Sequence, residues 1–547
     1  MSLPRATIVL TGQVLVSVRG DGLETAEAIG VGEGRVVAVG SRDDVLEAAA
    51  PGARLVAAGR AAIIPGIHDF HLHLVGMARA RRAVAVGGAP SFDALLDELR
   101  RASAALLPDQ WLLGWGWREE VLAGSDLGRL DEAVGDRRTL VSSHDSHSAW
   151  ASAAALRAAG VNAGTPDPPG GRIERAADGG PSGVLRESAT DLVRAVAARL
   201  RGPALDAALD EVLAGLAGFG ITGATDAGDA TAENGHGEYA ALGDSASHLL
   251  GARGRLDRRI RLTVNVPAAA IGPASLLGLR TGEMLPGSAT IRAGWAKAYL
   301  DGALGSRTAA LHAPYLGEDA ANLGIVRLAP EQLDALFAAT RGARIGLAMH
   351  AIGDRGVSMA LEGLRRASAP AIGTPPDRIE HAQLIRPEDL PAFAEHRVTA
   401  SLQPVHVVSD RPVAEAVWGD RLANAYPWRS LQAAGARVAF GSDAPIETAN
   451  PWLGLFAAVH RRAPGDGATD WQPGEALAPK AALAAYTRGP AIGIGRPEEG
   501  TLAVGAMADL AVLNVDLETL LAADERLAMV RSELTLVAGH EARRALG

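Results

Sequence analysis

Eight short apolar stretches, beginning near residues 63, 221, 260, 291, 345, 378, 397 and 437, set the tightest limit on how this chain can fold. Helical patterns lie between them, for example over 205–216, 330–340 and 357–367. Strands alternating with helices predict βα units and a parallel sheet. Eight such strands are the number that closes a (β/α)8 barrel of the TIM type, an α/β fold whose chemistry gathers where the strand ends converge.

The gap between the first two stretches is too long for one crossover. Residues 75–200 include Trp111-Leu112-Leu113-Gly114-Trp115-Gly116-Trp117 and the Pro/Gly-rich Thr165-Pro166-Asp167-Pro168-Pro169-Gly170-Gly171. They are expected to form a subdomain inserted after strand one, on the active-site face, where it shapes substrate choice. Residues 6–60 read as short strands with glycine turns, and 500–515 return to that style. Two β-rich ends can pair, because chain termini often lie close together. The expected organisation is therefore a small β-sandwich from 1–60 plus 495–547, a barrel from 61–74 plus 201–494, and the insertion 75–200.

An apolar fraction of 48% with 21% charged residues supplies 547 residues with ample core. The net charge of −10, without a basic stripe interleaved with aromatics, argues against nucleic acid or an anionic membrane as partner. No stretch is long and apolar enough to span a bilayer, and the N-terminus shows no signal-peptide pattern, so a cytoplasmic location is expected. The expected partner is a small-molecule substrate, with a homodimer left open. The chain has no cysteine, which excludes disulfides, thiolate ligands and a cysteine nucleophile. Gly218-Phe219-Gly220-Ile221-Thr222-Gly223 matches GxGxxG but precedes a strand, so the dinucleotide reading fails on context. Neither a GxSxG elbow nor a GxxxxGK[ST] loop is present.

What remains as ligand material is histidine and carboxylate. His71 and His73 stand two apart after an apolar run, and residues i and i+2 of a strand face the same way. Lys297, His350, His381 and Asp443 each lie in or at the end of an apolar stretch. Individually these are weak signals: the histidines could be structural and Asp443 could cap a helix. In this order they read as one metal site. Neutral imidazoles hold a borderline ion such as Zn²⁺ without cancelling its charge, and anionic oxygens can bridge a second ion. Water activated by the metal has its pKa lowered to about 7. Asp443 would take the attacking proton and pass it to the leaving group. His312, His406 and His460 are expected in core or surface roles.

The lysine carries its own weight. Of 53 Lys and Arg, only Lys297 and Lys480 are lysines. A guanidinium stays protonated, whereas a buried ammonium can lose its proton and act as a nucleophile. Neutral lysine can capture carbon dioxide as a carbamate whose two oxygens bridge two cations. The plainer alternative pairs Lys297 with Asp301.

This series resembles the amidohydrolase superfamily of metal-dependent hydrolases, and most of all the amidohydrolase-3 branch that includes N-substituted formamide deformylase-like enzymes. Besides the ligands, the resemblance rests on Pro65-Gly66-Ile67-His68-Asp69-Phe70-His71-Leu72-His73, Lys297-Ala298-Tyr299-Leu300-Asp301-Gly302-Ala303-Leu304-Gly305-Ser306-Arg307-Thr308, His350-Ala351-Ile352-Gly353-Asp354 and Gly505-Ala506-Met507-Ala508-Asp509-Leu510. It implies that His71 and His73 bind the more buried metal, that Lys297 is the carboxylated bridge, that His350 and His381 bind the second metal, and that Asp443 is ligand and base. His68 and Phe70 depart from the smaller or apolar residues commoner there. The segment Ser143-His144-Asp145-Ser146-His147-Ser148-Ala149-Trp150 resembles one thought to reach the site, where His147 would polarise a carbonyl. Trp115, His144 and Arg307 are candidate substrate contacts. The expected reaction is hydrolysis of an amide or formamide C–N bond with one or two Zn²⁺ ions. The alternatives are carbamate, urea or lactone hydrolysis, ring deamination, or a non-catalytic scaffold of the same fold.

Overall fold

The computed structural model describes residues 4–545 except 21, 119–120, 122–126, 198 and 318–320. Eight parallel strands run in chain order around one sheet: Ile67–Leu72, Ile221–Asp226, Arg261–Pro267, Ile291–Tyr299, Leu347–Ala351, Arg378–His381, Thr399–Leu402 and Arg437–Phe440. Every residue of the first three is buried, as expected for parallel strands covered on both faces. Hydrogen bonds close the ring between its two ends. The amides of Ser442 and Asp443 donate to the His71 carbonyl at 3.1 and 2.7 Å, and the His73 amide donates to the Ala444 carbonyl at 2.8 Å. Asp69 adds a carboxylate clasp, accepting from the Ser442 amide at 2.9 Å.

The apolar run at 61–64 is not the first barrel strand, which corrects both the expected strand start and the domain boundary at 61. It ends the 17-residue strand Ala49–Pro65 of the other β domain, where Ile63, Ile64 and Pro65 pair with Val512, Ala511 and Leu510. An apolar run shows that a strand is buried but not which sheet it joins. The chain changes sheets at Gly66, where a Cβ would lie 2.0 Å from Thr222 Oγ1. Glycine at 66 therefore lets barrel strands one and two meet.

His68 and Phe70 fit because glycines face them. A Cβ on Gly223 would come within 2.4 Å of the His68 ring, and one on Gly493 within 2.6 Å of Phe70. His68 bonds Thr225 Oγ1 at 3.1 Å, and burial together with Arg292, Arg261 and Arg378 pulls its pKa down to about 3, so it is a neutral core residue.

The two chain ends build one seven-stranded sheet, with the C-terminal strands Leu510–Leu513, Ser532–Val537 and His540–Arg544 added to Ala49–Pro65. The sheet curls on itself. Its far edge strand, Arg35–Gly40, receives the Ala506 carbonyl at Val36 N (2.9 Å), and Gly34 accepts from Ala508 N (2.9 Å). Leu10, Val14, Val16, Ile29, Val36, Val512, Leu534 and Leu536 fill the enclosed core. Bulges in the long strand Ala6–Arg19 permit the bend.

Residues 84–187 form a separate six-stranded sheet, in which Leu112–Trp117, Thr139–Ser143, Ser148–Ala151 and Pro181–Glu187 are neighbours. The turn at 144–147 and the end of the last strand at Glu187 reach the C-terminal mouth of the barrel. Helix Gly202–Gly218 then returns the chain to barrel strand two. Among the described residues no helix is long and apolar enough to cross a membrane.

Candidate metal centre at the barrel mouth

The barrel brings the six sequence candidates to one end. His71 is the penultimate residue of strand one and His73 precedes the next helix, Leu74–Ala80. Their Nε2 atoms each lie 3.3 Å from Asp443 Oδ1. His381 ends strand six with φ 72° and its ring lies 4.9 Å from His71 and 4.6 Å from His350. Lys297 is buried on strand four.

Three ring nitrogens in this cluster, His71 Nε2, His381 Nδ1 and His406 Nε2, are buried with no hydrogen-bond partner. A buried polar atom left unpaired costs about 1–3 kcal/mol. His71 Nε2 and His381 Nδ1, set around the Asp443 carboxylate with His73, leave lone pairs for an ion, and this donor set fits a divalent cation.

Neighbouring groups fix which nitrogen each ring offers. Glu380 Oε2 accepts from His71 Nδ1 at 2.6 Å, which leaves Nε2 facing Asp443. Glu380 is itself paired with Arg378, whose Nη2 also donates to the Phe70 carbonyl at 2.5 Å and Ser401 Oγ at 2.8 Å. His350 Nε2 donates to the Gly302 carbonyl at 3.0 Å and so keeps Nδ1 available. Burial, reinforced by His381, His147 and Lys297, holds His350 well below the usual histidine range. His381 is lowered too, chiefly by burial, which outweighs the opposing pull of Asp443. Neutral rings are the form a metal needs.

Burial also lowers Lys297, to about 8, against the pull of Glu380 and Asp443. The plainer pairing of Lys297 with Asp301 is not formed. Asp301 accepts from the amides of Ala310, Ile352 and Gly353 at 3.0, 3.0 and 2.8 Å, and its carboxylate lies 3.6 Å from His350 Nε2.

His406 is the residue that sequence reasoning missed. Expected in the core or on the surface, it lies with Nε2 3.4 Å from Asp443 Oδ2 and Nδ1 3.7 Å from Asp410. The available signal was its place, four residues past the end of barrel strand seven.

The insertion supplies more of the rim. His147 Nδ1 bonds Glu187 at 2.9 Å, and its ring lies 5.0 Å from His350. Glu187, buried with φ 51°, also accepts from Thr308 Oγ1 and, at 3.0 Å, from Arg327. Gly302 completes this contact: a Cβ there would stand 2.1 Å from Thr308 Oγ1 and 2.2 Å from Glu187 Oε1. His144 faces Glu447 at 3.7 Å and packs on Trp115, with ring centres 5.8 Å apart. Arg307 borders neither cavity at the mouth, whereas Arg194, Arg199 and Arg327 do.

The model of the Amidohydrolase family matches residues 54–542. The chain belongs to the amidohydrolase family. With that family it is a hydrolase acting on carbon–nitrogen bonds. The putative amidohydrolase YtcJ of Bacillus subtilis is 31% identical over 507 residues, covering 90% of this chain and 92% of the relative. The N-substituted formamide deformylase of Arthrobacter pascens is 26% identical, covering 90% of each. Among solved structures, an uncharacterized metal-dependent hydrolase from Pyrococcus horikoshii shares the fold with a TM-score of 0.72 at 24% identity, covering 93% of this chain and 97% of that one.

Proposed function

We propose that this hydrolase cleaves an amide-like C–N bond, with N-formyl and other N-acyl amines as the first class to try. The carrying observation is the convergence of His71, His73, His381 and His406 on Asp443, with three ring nitrogens left unpaired. His71, His73 and Asp443 would hold one divalent cation, and His350, His381 and Lys297 a second, with Zn²⁺ suited to imidazole and oxygen donors. A cation so held supplies Lewis acidity, polarising a carbonyl and lowering the pKa of water to about 7. A lysine with pKa about 8 is partly neutral near pH 7, which supports its capture of carbon dioxide as a bridging carbamate.

The protein's own groups handle the proton and the substrate. Burial pushes the Asp443 carboxyl up, but His71, His406 and His73 outweigh it and hold it well below the usual range. It is therefore ionised and can accept a proton at either oxygen. Burial opposes charge on His406, but Asp410 and Asp443 raise its pKa well above the usual histidine range, so the protonated ring beside Oδ2 stabilises the ionised carboxylate. Asp410, held by Tyr426 Oη at 2.6 Å and Gln383 Nε2 at 3.1 Å, steadies the far side of the ring. His147 is opposed by burial, but Glu187 raises its pKa, which favours a protonated donor aimed at the substrate carbonyl. The formamide-cleaving relative supports this bond class. The buried Lys297 weighs against one-metal ring deamination.

The test is a hydrolase screen over N-formyl, N-acyl, carbamate and lactone compounds, using protein loaded with Zn²⁺, Mn²⁺ or Co²⁺. Asp443→Asn should lose about 10²–10⁴-fold in kcat. Undiminished hydrolysis by Asp443→Ala would exclude the proposed role. Metal content near two per chain, with added mass on Lys297, is expected for the bridged site.

A further inference from the structure

Two cavities meet over the candidate metal ligands, one of about 380 Å³ and one of about 80 Å³. His147, His350, His381 and Asp443 border both, so the reacting atoms of a bound molecule sit at their junction. The larger volume falls within the roughly 300–1,000 Å³ usual for ligand pockets. The smaller one has room for about five to eight water-sized groups, since a single water-sized probe takes about 10–15 Å³.

The division between the lobes is built from side chains. Trp115 lines the large lobe and packs on His144, which lines the small one. The roof of the large lobe is a sheet face: paired strands set Leu113 opposite Leu140 and Trp115 opposite Ser142, and alternate residues share a face. All four border the large lobe. Two donors in its wall are under-used. The Trp115 indole N–H is buried without an acceptor. Arg194 donates to the Ser146 carbonyl at 2.9 Å but meets Asp191 only at 4.0 Å. The small lobe is bordered by Trp117, Leu304, Ile352 and Val413 together with polar residues such as Arg118, Gln383 and Asp410, and is much the smaller of the two.

We infer that the substrate is lopsided about its scissile bond: a bulky body with an oxygen acceptor for Trp115 and Arg194 on one side, and a group of no more than about eight heavy atoms on the other. This inference rests on the C–N hydrolase reading above and adds the shape and chemistry of the substrate to it. Trp115 and Arg194 are then specificity residues.

Matched pairs of amides, in which an acceptor-bearing arylalkyl group and a methyl or hydrogen are exchanged across the C–N bond, test it with metal-loaded protein. One member of each pair should be preferred by more than tenfold in kcat/KM. Lengthening the small side of the preferred member past about eight heavy atoms should cost a further ~10-fold or more, whereas the same extension of the bulky side should not. Trp115→Ala and Arg194→Met should raise KM for the acceptor-bearing compound more than for its acceptor-free analogue, with kcat moved less. Equal turnover within all pairs would overturn the inference and leave the hydrolase reading intact. If no member is turned over, binding of the bulky compounds followed by tryptophan fluorescence decides: saturable binding weakened by Arg194→Met supports the lobe assignment while removing the reaction assignment, and no binding overturns both.

Discussion

Arg378→Met would separate the electrostatic support of the site from the packing of the barrel. Arg378 is buried, pairs with Glu380, and lies with Cζ 3.7 Å from the Phe70 ring centre and 5.0 Å from Trp295. Methionine keeps much of the contact with both rings, so the cost falls on the charges. It leaves the Glu380 carboxylate buried with His71 as its remaining partner, and breaking a buried pair from one side costs about 3–5 kcal/mol. The Phe70 carbonyl, which accepts from Arg378, loses that donor for about 1–3 kcal/mol more. At roughly 2 °C per kcal/mol for a large domain, Tm should fall by about 8 °C or more. Scanning calorimetry on metal-free protein reads this without the ion's own contribution. Arg378→Met with Glu380→Gln removes the stranded charge, so the double variant should be more stable than the sum of the two single losses by about 0.5–3 kcal/mol. Strict additivity would refute the view that Arg378 acts by compensating Glu380.

Glu380→Gln alone should weaken metal binding about 10–100-fold, read by competition with a chelating dye, because His71 loses its anionic anchor. Gly302→Ala should displace the contact between Glu187 and Thr308, costing about 1–3 kcal/mol of stability by overpacking and lowering kcat more than secondary structure by circular dichroism. At the opposite end of the barrel, Glu499 pairs with Arg292 at 3.0 Å; burial raises its carboxyl, but Arg292 and Arg261 outweigh it and hold it below the usual range. A depressed folded pKa adds stability that is complete above the unfolded value near 4.3 and is lost as pH falls through the folded one. Glu499→Gln should therefore be destabilised at pH 7, with the deficit shrinking below about pH 4 in denaturant titrations.

The periodic parts of the molecule were legible in the sequence. Seven of the eight barrel strands announce themselves as apolar runs, and a histidine or aspartate at the end of such a run stands out against it, as His350 and Asp443 do. What escaped was whatever joins residues distant in the chain. Arg378 and Glu380 look like ordinary strand charges until His71, 309 positions away, comes within 2.6 Å of Glu380. His406 follows a strand of only four residues, Thr399–Leu402, and a lone histidine there has no periodicity to mark it. The run at 61–64 was legible as a strand, but its assignment to a sheet depended on Leu510–Leu513, at the other end of the chain. Glu187 gave no local signal either, because its partners are the turn at His147 and the barrel loop at Thr308.

The clasp that seals the barrel joins Ser442 and Asp443 to Asp69 and His71, and so spans some 370 positions of the chain. During synthesis the N-terminal half of this pocket leaves the ribosome long before Asp443 exists. An incomplete polypeptide therefore lacks the carboxylate between the paired rings and has no finished place to capture a metal. On the reading proposed above, the set His71, His73 and Asp443 would be complete only after the final strand has docked.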